Sequence, residues 1–222
     1  MSGPPAGPSP GFFVTGTDTG VGKTQVAGAL LGLLADAGLV PCAFKPWETG
    51  VQGVPPDAAW LRACGGGWQS LDTVCLHRFR APLAPAVAGP SSWSRTLRTF
   101  RAFEGPVVVE GAGGLRVPLD PRHDVVDLAA ALGLPIILVA RAGLGTLNHV
   151  ALSLDLMTQR RLRVEAVVLV KSTQGRDPSE ASNPSWLRRR HRVRVLGPLP
   201  FLASQPRRHA ALKKLLAPLA GR

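Results

Sequence analysis

Short apolar runs alternate with longer amphipathic segments along most of the chain. Six runs have the character of buried strands: FFVT at 12–15, VPCAF at 40–44, VVVE at 107–110, PIILVA at 135–140, AVVLV at 166–170 and VRVLG at 193–197. The segments between them predict helices that end near residue 36, begin near 124 and 148, surround 186 and span 208–217. Strands that are apolar on both faces and alternate with helices are typical of a parallel sheet. The pattern therefore predicts an α/β protein with a mostly parallel central sheet flanked by helices.

The N-terminal ten residues differ in composition from the rest of the chain. Residues 2–10 are Pro, Gly and Ser with a single Ala, so they cannot bury enough apolar surface to become ordered. We expect a flexible leader over 1–10 and a single domain over 11–222, since 222 residues suit one sizeable core. No apolar run approaches the ~18 residues that would span a bilayer, and no membrane association is expected.

The formal charge of +12 is concentrated towards the C-terminus. Acidic and basic residues balance before Met157, and the densest basic run is R-R-R-H-R at 188–192, followed by Arg194. A basic surface can attract nucleic acid, but only Trp186 offers a nearby aromatic ring that could stack on bases. The run is better explained as a solvated helix end, and a nucleic-acid partner is disfavoured.

The three cysteines, Cys42, Cys64 and Cys75, are an odd number, and the N-terminus has no secretory-signal pattern. Both features favour a reducing cytoplasm. Cys75 and His77 lie two residues apart, but no second pair has metal-ligand spacing. No zinc site is therefore expected.

The segment after the first predicted strand carries a phosphate-binding pattern. It reads G-T-D-T-G-V-G-K-T at 16–24 and leads directly into a helical pattern. In such a turn, backbone N–H groups surround phosphates, a Lys reaches the terminal phosphates and a hydroxyl binds magnesium. Thr17 stands where the strict pattern has its first glycine, so the loop is a variant. We predict a P-loop NTPase-like fold. The expected phosphate-loop contacts are Thr19, Gly20, Val21, Gly22, Lys23, Thr24 and Gln25.

Asp18 narrows the class of P-loop protein. Partition-type ATPases carry a Lys at this position, five residues before the P-loop lysine, so a partition ATPase that binds DNA is a disfavoured alternative. A P-loop protein that binds nucleotide without catalysis is a second disfavoured alternative. The pattern T-G-T-D-T-x-V-G-K-T instead resembles that of dethiobiotin synthetases. It is also similar to the amidating ligases of cobyrinate metabolism, whose additional glutaminase domain 222 residues cannot hold.

Five further segments resemble the dethiobiotin synthetase family. They are K-P-W-E-T-G at 45–50, F-R-A-P-L-A-P at 79–85, E-G-A-G-G at 110–114, G-T-L-N-H at 145–149 and L-G-P-L-P at 196–200. The resemblance implies an enzyme of biotin biosynthesis that depends on ATP and Mg²⁺. It would convert 7,8-diaminononanoate, CO₂ and ATP into dethiobiotin, ADP and phosphate, by way of a carbamate and its mixed anhydride with phosphate.

The same resemblance implies roles for single residues. Lys23 would hold the β- and γ-phosphates and Lys45 would contact the carbamate and the transferred phosphate, so both are candidate catalytic residues. The implied magnesium ligands are Thr24, Asp57 and Glu110. Glu110 also stands out by itself, because a carboxylate that closes an apolar strand is costly unless it meets a cation or lies at the rim of the sheet. Other nucleotide contacts are expected from Asp57, Glu110, Gly111, Ala112, Gly113, Pro200, Phe201 and Leu202, and substrate contacts from Thr49, Gly113 and Asn148.

Two positions bear on the partner and on the choice of nucleotide. The resemblance implies that Asn148 reaches the substrate of the neighbouring subunit, and so it implies a homodimer with the substrate site at the interface. A helix N-cap is its competing role. Val170 stands where the family has an Asn that reads adenine, and Val has no hydrogen-bonding side chain. We therefore expect weak discrimination among nucleoside triphosphates, with CTP and GTP turned over within about a thousandfold of ATP.

Overall fold

Six parallel strands form the central sheet of the computed structural model, which describes residues 11–220. The strands of the protein, in chain order, are β1 (Phe12–Gly16), β2 (Cys42–Phe44), β3 (Trp47–Thr49), β4 (His77–Phe79), β5 (Val107–Gly114), β6 (Ile136–Arg141), β7 (Val164–Val170) and β8 (Val195–Leu199). The central sheet has the order β2-β5-β1-β6-β7-β8. These strands confirm the predicted parallel α/β architecture, and β3 and β4 pair separately as a small parallel sheet. The expected leader over 1–10 lies outside the described residues.

The helices are α1 (Lys23–Asp36), α2 (Pro56–Cys64), α3 (Leu71–Val74), α4 (Pro85–Ala88), α5 (Trp93–Arg101), α6 (Val125–Leu132), α7 (Thr146–Gln159), α8 (Ser179–His191) and α9 (Gln205–Ala220). Helix α9 extends beyond the predicted helix over 208–217 at both ends. Helix α7 begins at Thr146 with Gly145 as its N-cap, so the N-cap role considered for Asn148 is wrong. Asn148 lies within the first turn instead.

The central sheet is buried on both faces, which explains its continuous apolar runs. Along β1, Phe13 points to one face and Val14 to the other, and neither is exposed to solvent. On the Phe13 side, the core is completed by apolar residues of α6, α7 and α8. Residues of α1, α2 and α9 cover the Val14 side. The two helical layers fix the sheet, so the loops at its carboxyl edge have a rigid base.

Residues 47–106 form a region that the apolar pattern does not predict. It contains the small β3-β4 sheet and helices α2 to α5, and two of these helices have only four residues. Pieces this short do not complete a recognisable helical or strand period. This region nevertheless contributes one wall of the cavity described below.

Gln69 closes the edge of the central sheet at β2. The backbone N–H of Ala43 donates to Oε1 of Gln69 over 2.6 Å, and Nε2 of Gln69 donates to the carbonyl of Ala43 over 3.2 Å. The side-chain amide thus makes both hydrogen bonds that a neighbouring strand would make to this residue. Gln69 is buried in this position.

The basic run lies at the C-terminal end of α8. Arg189 and Arg190 are exposed, while the guanidinium of Arg188 donates to the carbonyl of Val195 over 2.8 Å. Cations at a helix C-terminus also interact favourably with the helix dipole. The predicted solvated helix end is confirmed. Among residues 11–220, no helix is both long and apolar enough to cross a membrane.

Candidate active site

A cavity of about 670 Å³ opens at the carboxyl edge of the central sheet, beside the loop that joins β1 to α1. Edges of this kind are where parallel α/β sheets bind ligands. The cavity brings together residues from the phosphate loop, from the ends of β2 and β3, from the start of α2 and from β5. Its lining residues are Thr19, Gly20, Gly22, Lys23, Thr24, Gln25, Lys45, Trp47, Glu48, Thr49, Asp57, Pro82, Leu83, Ala84, Pro85, Glu110, Ala112, Gly113 and Val117.

The phosphate loop lies over the end of β7. Gly22 has φ of +102°, a conformation that favours glycine, and a Cβ atom at this position would lie 3.4 Å from the side chain of Val170. Nζ of Lys23 donates to the carbonyl of Asp18 over 2.7 Å. Burial of the ammonium lowers the pKa of Lys23 to about 8. The loop therefore holds a cation that an anionic ligand would stabilise.

Glu110 joins the phosphate loop to the second lysine. Its Oε1 atom accepts a 2.9 Å hydrogen bond from Oγ1 of Thr24 and lies 2.6 Å from Nζ of Lys45. Nζ of Lys45 also lies 3.1 Å from Oδ2 of Asp57. Burial by itself would lower the pKa of Lys45, but the carboxylates of Glu110 and Asp57 outweigh it and hold that pKa above its usual value. Lys45 is a buried ammonium group that keeps its proton.

The oxygen atoms of this cluster suit a hard divalent cation. Oε2 of Glu110 is buried and has no hydrogen-bond partner among the described residues. The hydroxyl of Thr24 and the carboxylate of Asp57 contact the same Glu110–Lys45 pair. The unpaired Oε2 of Glu110 therefore lies near two further groups whose oxygen atoms can bind a metal. Mg²⁺ binds through one or two carboxylates together with phosphate oxygens and water. The three predicted metal ligands therefore fit magnesium in residue type and in location.

Thr49, Trp47 and the C-terminal part of β5 also line the cavity. Gly113 in this part of β5 has φ of +64°, and a Cβ atom there would lie 2.8 Å from Cγ2 of Val117. No larger residue could hold the wall in this shape without displacing Val117. Thr49 and Gly113, both predicted substrate contacts, thus share the cavity with the two lysines.

Six of the predicted residues do not line the cavity. Val21 is buried in the core, and Gly111 faces the Val125 and Phe13 side chains. The remaining four are Asn148, Pro200, Phe201 and Leu202. The segment that contains Phe201 follows β8, whose last residue pairs with Val170. Asn148 is exposed in the first turn of α7.

Two charged contacts at the site were not predicted. The carboxylate of Asp18 pairs with Arg141 at the end of β6 over 2.6 Å, so this position of the phosphate loop is anchored within the chain. The carboxylate of Glu48 accepts hydrogen bonds from the backbone of α2. The only sequence signal for Glu48 is an acidic residue in an otherwise uncharged segment that follows Lys45.

Comparison with known proteins identifies the family. A family model described as an AAA domain matches residues 10–207. The ATP-dependent dethiobiotin synthetase BioD of Anaeromyxobacter dehalogenans strain 2CP-C is 45% identical over 216 residues, which cover 93% of this chain and 97% of the relative. The chain belongs to the dethiobiotin synthetase family. The ATP-dependent dethiobiotin synthetase BioD of Bacillus subtilis strain 168 is 35% identical over 208 residues, covering 87% of this chain and 88% of the relative.

Solved structures show that the family shares its fold with other P-loop proteins. The crystal structure of a putative plasmid partition protein from Borrelia burgdorferi B31, bound to AMPPNP, matches with a TM-score of 0.57 at 10% identity. The match covers 96% of this chain and 99% of that chain. The cell division protein FtsY of Thermotoga maritima matches with a TM-score of 0.51 at 14% identity, covering 94% and 70%. At these identities the likeness concerns the fold alone, while the dethiobiotin synthetase family is established by sequence.

Proposed function

We propose that the protein closes the ureido ring of dethiobiotin, converting 7,8-diaminononanoate, CO₂ and ATP into dethiobiotin, ADP and phosphate. The observation that carries the proposal is the shared cavity: the phosphate loop, Lys45 and the predicted substrate contact Thr49 all face it. The reaction is the one implied by the synthetase family. The buried ammonium of Lys45 lines the same cavity and would lie between the triphosphate and the diamine.

The proposed reaction has three steps. One amine of the substrate adds to CO₂ and gives a carbamate. A carbamate oxygen then takes the γ-phosphoryl group, with loss of ADP. The second amine attacks the carbonyl carbon of this mixed anhydride, and phosphate leaves as the ring closes.

Lys23 and Lys45 serve the phosphoryl transfer, which depends mostly on positioning and on neutralising charge. Lys23 would bind the β- and γ-phosphates, with the backbone N–H groups of the phosphate loop around them. Lys45 would lie against the carbamate and the transferred phosphoryl group. Its ammonium stays protonated because Glu110 and Asp57 are beside it. It can therefore neutralise the charge that develops between donor and acceptor.

Thr24, Asp57 and Glu110 would hold the magnesium ion. Bound there, the ion would neutralise phosphate charge and so assist transfer. The orphaned Oε2 of Glu110 supports this assignment, as does the hydrogen bond that fixes Thr24 on the same carboxylate.

A homodimer would complete the substrate site. Leu144, which precedes helix α7, is 89% exposed, and Leu152 within the helix is 61% exposed. Asn148 and Leu152 are four residues apart in α7, the spacing that places residues on one face of a helix. An interface over this surface would remove the apolar area of both leucines from water. Pairing through it would carry Asn148 to the neighbouring subunit's substrate.

The base of the nucleotide would lie near the end of β7, against the segment of Pro200, Phe201 and Leu202. The backbone N–H of Lys171 donates to the carbonyl of Leu199 over 2.9 Å, so the two segments adjoin at the edge of the sheet. Val170 offers no hydrogen bond to a base. Backbone groups would therefore make most of the contacts with the base.

We also propose a cytoplasmic location. Cys42, Cys64 and Cys75 are free thiols, and Cys42 and Cys75 are buried. Unpaired cysteines suit a reducing compartment.

The proposal is tested by incubating the protein with 7,8-diaminononanoate, bicarbonate, MgCl₂ and ATP, and by following dethiobiotin by mass spectrometry together with ADP. We expect dethiobiotin and ADP in equal amounts. Protein that binds ATP and forms no dethiobiotin would contradict the proposal. ATP hydrolysis that DNA stimulates, in the absence of the diamine, would favour the partition-type alternative.

A further inference from the structure

Glu48 lies beside the proposed metal site but is none of its predicted ligands. It occupies the middle of β3, is only 5% exposed and lines the cavity. Its Oε1 atom accepts a 2.9 Å hydrogen bond from the backbone N–H of Asp57, and Oε2 accepts a 2.9 Å bond from the N–H of Ala58. Both carboxylate oxygens are thus used on the first turn of α2.

Helix α2 depends on this distant carboxylate for the capping of its N-terminus. The N-cap position is Pro55, which supplies no side-chain hydrogen bond, and Pro56 follows at the first helical position. The next two N–H groups are among the donors that a helix leaves unsatisfied at its start. Glu48 satisfies both from another element, and its negative charge lies at the positive end of the helix dipole.

The same contact joins the segment of Lys45 to the helix that carries Asp57. Lys45 is three residues before Glu48 in the segment that leads into β3, and Asp57 is one of the two residues whose N–H groups Glu48 accepts. The Nζ atom of Lys45 lies 3.1 Å from Oδ2 of Asp57. Movement of α2 away from β3 would therefore separate Asp57 from Lys45 and from Glu110.

A buried carboxylate is expensive to keep in this place, which points to a positional role. Burial raises the pKa of the Glu48 carboxyl, while the two N–H donors and the nearby Lys45 oppose that rise. A cap on an exposed helix start could be supplied by a Ser, Thr or Asp at the N-cap itself. Here the cap is Glu48, which lines the cavity, so it holds the start of α2 against the site as well as capping the helix.

We propose that Glu48 is a positioning residue that holds Asp57 of α2 beside Lys45 and Glu110 and thereby sets the affinity of the site for Mg²⁺. This inference rests on the metal-binding role proposed for Asp57. Groups that orient a metal ligand typically contribute about 10- to 100-fold to metal affinity or activity. Glu48 acts on the ligand through its backbone, so its removal should loosen the metal without removing any predicted ligand.

The test compares Glu48→Gln and Glu48→Ala with the wild-type protein in a Mg²⁺ titration. Binding of ATP is measured by calorimetry at increasing MgCl₂, with no diamine present, so that turnover is not required. Glu48→Ala should raise the Mg²⁺ concentration at half-effect by about 10- to 100-fold, and binding of ATP without Mg²⁺ should stay within about twofold. Glu48→Gln keeps the length of the side chain and one acceptor oxygen. Its Mg²⁺ concentration at half-effect should lie between those of the wild type and Glu48→Ala.

The matched control is Ser92→Ala, which removes the N-cap of α5. Helices α2 and α5 have nine residues each, and the hydroxyl of Ser92 accepts from the N–H of Arg95 at a position that does not line the cavity. Ser92→Ala should lower the melting temperature as an ordinary cap deletion does and leave the Mg²⁺ dependence unchanged.

An unchanged Mg²⁺ dependence in folded Glu48→Gln and Glu48→Ala would overturn the inference. Should Glu48→Ala fail to fold, the nearly isosteric Glu48→Gln decides, and a Mg²⁺ dependence equal to that of the wild type would again overturn it. Wild-type protein that binds MgATP but forms no dethiobiotin contradicts the proposed function alone, since the titration requires no product.

Discussion

Nζ of Lys45 lies 2.6 Å from Oε1 of Glu110, and the two side chains are 6% and 1% exposed. The same oxygen accepts the hydroxyl of Thr24, so one carboxylate atom connects the phosphate loop to the end of β2. A buried pair of opposite charges is costly to break, because the partner left behind keeps an uncompensated charge. Any change at Lys45 should therefore affect stability as well as chemistry.

Replacing Lys45 with Ala should abolish most turnover and keep nucleotide binding. We expect the rate of dethiobiotin formation to fall by about 100-fold or more, as when an electrostatic stabiliser of a transition state is removed. ATP affinity should change little because Lys23 and the loop are intact. Urea unfolding should show a loss of about 3–5 kcal/mol from the unpaired Glu110. The double variant with Glu110→Gln should regain part of that stability but no activity, and full activity in Lys45→Ala would refute the assigned role.

Mixing two inactive variants should restore activity if Asn148 serves the neighbouring subunit. In a dimer of Lys45→Ala with Asn148→Ala, one site carries both defects and the other carries neither. After unfolding and refolding of an equal mixture, about half of the dimers are mixed, so about a quarter of the wild-type sites return. Each variant refolded alone is the control. A mixture no more active than the variants separately would show that Asn148 does not act across an interface.

Val170 should govern how strongly the protein prefers ATP. We expect the wild type to use CTP and GTP within about a thousandfold of ATP, because Val170 makes no hydrogen bond to a base. Val170→Asn should raise the ratio of kcat/KM for ATP over CTP by about tenfold, the effect of one hydrogen bond of roughly 1.4 kcal/mol. Val170→Thr, which has nearly the same shape but no amide, is the matched control. Wild-type protein that already rejects CTP beyond a thousandfold would contradict this prediction.

His77 should make the protein less stable in mild acid. Its ring is buried against Trp47 with ring centroids 5.2 Å apart, and Nε2 lies 3.2 Å from the hydroxyl of Thr96. Burial and the nearby Arg95 lower the pKa of His77 below its usual 6.5. The unfolded chain therefore binds a proton before the folded one does, and the free energy of unfolding falls as the pH drops below 6.5.

Thermal unfolding between about pH 8 and pH 5 measures this effect. His77→Gln, which cannot titrate, should lose less stability on acidification than the wild type. Burial also lowers the pKa of His209, so His209 is left in place in both proteins and its contribution cancels. Equal acid sensitivity of the two proteins would remove His77 as a cause.

The central sheet follows from the sequence because its strands are apolar on both faces. Each of the six runs contains at least half of one strand, and the errors are confined to the ends. The region 47–106 does not follow, because β3 and β4 have three residues each and leave no period to detect. Its pieces are held by tertiary contacts, such as the stacking of His77 on Trp47, that no local pattern contains.

The candidate site divides in the same way. Lys23, Thr24 and Glu110 belong to segments whose local sequence carries the chemistry, and the structure places all three at one cavity. Glu48 was missed because its partners are the N–H groups of Asp57 and Ala58, which only the folded chain brings to it. Asn148 could not be placed at the cavity from one chain alone, since its proposed contact belongs to a second copy.

Gln69 limits how copies of this chain can associate. An open sheet edge is a template on which another strand can add and continue the sheet from one molecule to the next. At β2 the amide of Gln69 already occupies both hydrogen-bonding groups of Ala43. Growth of the sheet through the β2 edge is therefore blocked. The dimer proposed above would instead form through the helical surface of α7. A pair formed there is closed by its symmetry, whereas pairing at the edge of the sheet could continue into aggregates.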